Sequence, residues 1–110
     1  MNDLMDDLNT KNAQLEQALR TLRSNGNALA AAERDYKEAV SKEALRLRDE
    51  GMAVTMMDKV IYGLPSISTL RFQRDCAQVI YDANKEAINV KKLQIRIIEE
   101  QLSMEWGNTK

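Results

Sequence analysis

At 110 residues the chain is long enough for one domain and short for two, and charged residues make up 30% against only 5% aromatic. With one proline and four glycines, that profile excludes a sheet-rich or rounded α/β fold and points to long, solvated helices. Sixteen basic residues balance seventeen acidic ones, so net charge advertises neither a nucleic-acid nor a membrane partner.

The N-terminal stretch MNDLMDDLN is acidic and lacks an apolar run, which is not the pattern of a signal peptide. No apolar run is long enough to span a membrane. The single Cys76 has no internal disulfide partner and suits a reducing compartment, so a cytoplasmic protein is expected.

Asp3, Asp6 and Asp7 open the first predicted helix, where carboxylates oppose the positive end of the helix dipole. Leu8, Leu15, Leu22, Leu29 and Tyr36 then recur every seven residues, and the amphipathic pattern runs from about residue 3 to 50. The run Ser24-Asn25-Gly26-Asn27 is the weak point. The seven-residue phase nonetheless passes from Leu22 to Leu29 without a slip, so a continuous helix with at most a kink is expected. It would be on the order of 70 Å long at ~1.5 Å per residue.

Gly51 reads as a C-terminal helix cap. Thr55 and Asp58 make a variant capping box that starts a short helix, Met56 to Tyr62, stopped by Gly63 and Pro65. Ser66 or Ser68 is expected to cap the last helix, about residues 69–106, leaving 51–68 as the connector. The fold class is therefore all-α: a single, coiled-coil-like antiparallel helical hairpin of long helix, short helical connector and long helix.

The last helix carries two apolar rows of period seven, roughly 100° apart. One is Tyr81, Ile88, Ile95 and Leu102, with Ile98 and Ala77 alongside. The other is Cys76, Ala83, Val90, Ile97 and Met104, with Ile80 and Ala87 alongside. One partner helix covers one row only. Ala28, Ala30, Ala31, Ala32 and Ala39 of the first helix are expected to lie against Ala77, Ala83 and Ala87. That leaves Ile88, Ile95, Ile98 and Leu102 as the oligomer interface of a dimer or larger bundle; the alternative, which does not exclude it, is that they lie against the first helix near Leu15 and Leu22. A two-helix hairpin has no thick centre, and association is the expected remedy.

Few residues offer enzymatic chemistry. There is no histidine, so the commonest general base and metal ligand are absent. Cys76 falls on an apolar row and reads as a packed thiol. No glycine-rich phosphate loop occurs, and the acidic pairs Asp6-Asp7 and Glu99-Glu100 point apart on a helix. No catalytic, cofactor-binding or metal-binding residue is expected, and the protein is expected not to be an enzyme.

Two groups are candidate binding residues. Met52, Met56, Met57, Lys59, Ile61 and Tyr62 belong to an apolar, methionine-rich tip suited to docking a protein, or else to plugging the end of the hairpin. Arg46, Arg48, Arg71 and Arg74 gather at the same end and could bind phosphate, nucleic acid or a nucleotide, with Tyr62 or Phe72 as a stacking surface. Glu43, Asp49, Asp58 and Asp75 intermix with these cations, and ion pairing on a solvated face is the blander reading.

The stretches ALRLRDEGMAVTMMDKVIYG and YDANKEAINVKKLQIRIIEEQ, the latter followed by EW, resemble small helical proteins of phages and prophages of Gram-positive bacteria. The resemblance covers about residues 44–106. It implies a phage-encoded protein of the bacterial cytoplasm and carries over no activity and no functional residue. The leading expectation is a self-associating interaction protein that binds or occludes a host protein, including a defence factor, or a phage replication protein. Binding of nucleic acid or a nucleotide is the second expectation, and a structural role in virion assembly the third.

Overall fold

The computed structural model describes residues 2–108. The architecture is the expected all-α hairpin, with helix α1 spanning Asn2–Asp49, a short α2 spanning Val54–Gly63 and α3 spanning Pro65–Asn108. There is no strand among the described residues. Its residues group into two compact units, residues 1–24 with 82–110, and residues 25–81.

α1 runs through Gly26 without a break. At Gly26 the ring of Tyr81 comes close: a Cβ would lie 3.2 Å from its Cε1, tighter than ordinary contact. The helix ends in a Schellman motif. Met52 N–H donates to the Leu47 carbonyl and Gly51 N–H to the Arg48 carbonyl, each at 3.0 Å. Gly51 takes φ +81°, a left-handed conformation that glycine adopts without steric cost.

The capping box predicted at Thr55 does not form. α2 begins earlier, at Val54, and its N-cap residue Ala53 makes no side-chain hydrogen bond. α3 likewise starts before either serine. Pro65 takes its first position, where the missing N–H costs nothing, and the Leu64 carbonyl accepts the first bond, from Ser68 N–H at 2.9 Å. Leu64 is extended, as a residue before proline prefers, and that turns α2 into α3.

The second unit is a small three-helix core of Tyr36 and Leu47 from α1, Ile61 from α2 and Ile67 from α3. Met52, Met57, Val60, Leu64 and Leu70 pack around it. Ile61 and Ile67 are only 2% and 1% exposed, and burying each side chain contributes roughly 1.5–3 kcal/mol. The first unit is a two-helix antiparallel pair. On α1 the inward positions are Leu4, Leu8, Lys11, Leu15, Ala18 and Leu22; on α3 they are Asn84, Ile88, Lys91, Ile95, Ile98 and Leu102. Both sets alternate steps of four and three, the spacing of a coiled-coil seam. Asn84 Nδ2 donates to the Ala18 carbonyl at 3.0 Å, joining the two helices by a polar contact inside an apolar seam.

Candidate functional site

In the first unit α3 shows solvent an apolar face beside its seam, roughly 100° around the helix. Val90, Leu93, Ile97 and Met104 are exposed large hydrophobics on it, and Ala83 and Ala87 are exposed beside them. Their spacing places them on one side of a rigid helix for about six turns. Glu86 and Glu100 stand seven residues before and after Leu93 and share its row, and Arg96 borders the face. Gln94 lies at its edge, and its Oε1 is buried without a hydrogen-bond partner. Leaving such an oxygen unpaired typically costs ~1–3 kcal/mol.

This reverses the expected assignment of the two rows. Ile88, Ile98 and Leu102 are buried within the first unit and Ile95 is half-buried. They face the leucines of α1 and are not free to hold another chain. The exposed row is the one through Ala83, Val90, Ile97 and Met104. The physical reason is area: three isoleucines and a leucine withdraw more apolar surface from water than a row containing two alanines. Ala83 and Ala87, expected to pack against the alanines of α1, are exposed for the same reason. Cys76 belongs by phase to that row, and its thiol is exposed rather than packed. Its segment of α3, in the second unit, also exposes Phe72, Val79 and Ile80.

The six tip residues divide. Ile61 is core and cannot meet a partner without unfolding the end of the unit, whereas Met52 and Met57 pack against that core and stay half-buried. Met56, Lys59 and Tyr62 are exposed, as is Val54. α2 therefore folds down and closes the second unit, keeping one edge in solvent.

The four arginines do not form one cluster. Arg46 is clamped by Glu43 at 2.8 Å and Glu50 at 2.9 Å, one turn to either side. The Glu43 hydrogen bond and charge, with Glu50 behind them, hold its proton more tightly than usual and neutralise it. Arg48 lines a separate hollow with Leu45 and Met57. Arg71 and Arg74 share a cleft of about 370 Å³ with Tyr36 and Tyr62. There Arg74 lies 4.6 Å from the centre of the Tyr36 ring, a cation–π contact. It also hydrogen-bonds Asp75, which raises its already high pKa. Arg71 has no ion pair among the described residues.

At the open end of the first unit, Trp106 stays half-exposed beside a hollow of about 620 Å³ lined by Met5, Leu8 and Leu102. No group of three or more acidic or thiol side chains is placed to hold a metal ion among the described residues. No described helix is long and apolar enough to cross a membrane. Comparison with protein-family models, with curated proteins and with solved structures finds no match to this chain.

Proposed function

We propose that this protein is a non-enzymatic helical interaction module that self-associates through the outer face of α3 and acts by binding another protein. The observation that supports this is the exposed row of Val90, Leu93, Ile97 and Met104 on a helix whose other apolar row is already covered by α1. A row of exposed large apolar side chains of that length, flanked by Glu86, Glu100 and Gln101, fits the pattern of an apolar patch with a polar rim that marks an interaction surface. The exposed edge of α2, at Met56, Lys59 and Tyr62, is the second contact surface, directed at a different protein. The target we propose for it is a host protein, defence factors included, or a phage replication protein.

A narrower version of the anion-binding reading rests on the cleft of Arg71, Arg74, Tyr36 and Tyr62, because Arg71 there has no ion pair. Arg46 drops out of it, and with Asp75 beside Arg74 the cleft offers about one unbalanced positive charge. That favours a small phosphate-bearing ligand over a long nucleic acid, whose binding draws on many phosphate contacts.

Self-association is tested by light scattering after size exclusion across a concentration series. A mass that rises from one chain toward two or more over the micromolar range is expected. A single-chain mass at every concentration would refute it.

A further inference from the structure

We infer that the outer face of α3 is covered by the same face of a second copy, antiparallel, about a two-fold axis close to Leu93; this rests on the self-association proposed above. The first observation is the taper of the face. Its N-terminal half carries the small Ala83 and Ala87, and its C-terminal half the larger Ile97 and Met104. Distance between packed helices follows side-chain size at the contact. A parallel pair would set alanine on alanine at one end and Met104 on Met104 at the other, forcing the helices to diverge. An antiparallel pair sets small against large at both ends and keeps the spacing even.

Charge points the same way. Parallel pairing opposes Glu86 to its own copy, and likewise Arg96 and Glu100, which is unfavourable between neighbouring helices. Antiparallel pairing about Leu93 separates the two Arg96 side chains and brings each within about a turn of the partner's Glu86, although Glu86 then stands level with the partner's Glu100; Arg96 has no ion pair among the described residues. The third observation is Gln94, whose Oε1 is buried and unpartnered next to the proposed axis. Two copies related by that axis bring two Gln94 side chains level with each other, and an amide that swings out of its buried position exchanges hydrogen bonds with its copy. A single polar pair of this kind fixes register in helix pairs.

Two such two-helix units joined along α3 enclose a core that neither has alone. An isologous contact also closes, so the assembly stops at two copies.

The test measures distances between nitroxide labels on two rim positions, Asn89→Cys and Ser103→Cys, each in a Cys76→Ser background. Light scattering on the same samples reports association. With an axis near Leu93 the Asn89 labels lie within about 20 Å of each other. The Ser103 labels lie about 30 Å apart, some twenty residues at ~1.5 Å each. That pair of distances supports the inference. Equal, short distances at both positions mean a parallel dimer, which overturns the antiparallel arrangement and leaves the α3 face as the interface. Distances beyond about 40 Å at both positions in a dimeric sample place the contact elsewhere and overturn both. A monomeric sample overturns self-association itself.

Discussion

Ile97 and Ile98 are adjacent, chemically identical and on the same helix, and they differ in environment. Ile98 is 6% exposed within the first unit, whereas Ile97 is 46% exposed on the outer face. Replacing either by alanine changes helix propensity equally, a gain of a few tenths of a kcal/mol. Ile98→Ala additionally loses the transfer energy of a buried side chain and leaves a cavity, so it should destabilise by about 2–5 kcal/mol. The lower half of that range is expected, because a two-helix unit can close around the gap. Ile97→Ala removes a side chain already half in water, worth up to ~1 kcal/mol, partly offset by propensity. The two variants should therefore differ by at least ~1 kcal/mol in urea denaturation followed by far-ultraviolet circular dichroism in dilute protein. At high concentration the difference should shrink, since association buries the rest of Ile97. Equal destabilisation of the two in dilute protein would refute the assignment of inner and outer rows.

Three further outcomes are expected. Gly51→Ala, which must hold φ near +81°, should cost about 1–2 kcal/mol in thermal or chemical unfolding although the residue is exposed. Asn84→Ala removes the bond to the Ala18 carbonyl and should cost about 0.5–1.5 kcal/mol, measured in the same way. Gly26→Ala should gain less than the ~1 kcal/mol usual in a helix, because its Cβ meets the Tyr81 ring. In a Tyr81→Ala background most of that gain should return, and a double-mutant cycle showing no coupling would contradict the contact.

The fold was legible because periodicity survives every ambiguous residue. The seven-residue phase through Leu22 and Leu29 carried α1 across Gly26, and Gly51 marked its end; Pro65, read as the stop of the short helix, instead opens α3. Local capping was less legible. Thr55 has the chemistry of a cap, but α2 starts at Val54 without one, because packing of Met57, Val60 and Ile61 on the core decides where it begins. A row through Met57, Ile61 and Leu64, at steps of four and three, was present in the sequence as a sign that this side of α2 turns inward. Counting the tip as one apolar patch concealed it.

The two rows of α3 were visible, and which one α1 covers was not. Counting apolar residues treats the rows as near equals. The seam continues through Asn84 and Lys91, whose spacing matches Ile88 and Ile95 but whose polarity removed them from the count. Lys11 does the same on α1. The arginines show the opposite case: Glu43 and Glu50 stand three before and four after Arg46, so its neutralisation could be read from helix spacing alone.

The central claim is that the protein binds through the outer face of α3, and sedimentation equilibrium of the wild type beside Ile97→Asp tests it most directly. A self-associating wild type and a monomeric variant with unchanged helix content are expected, because residue 97 lies outside the seam. A variant that associates as tightly as the wild type would contradict it.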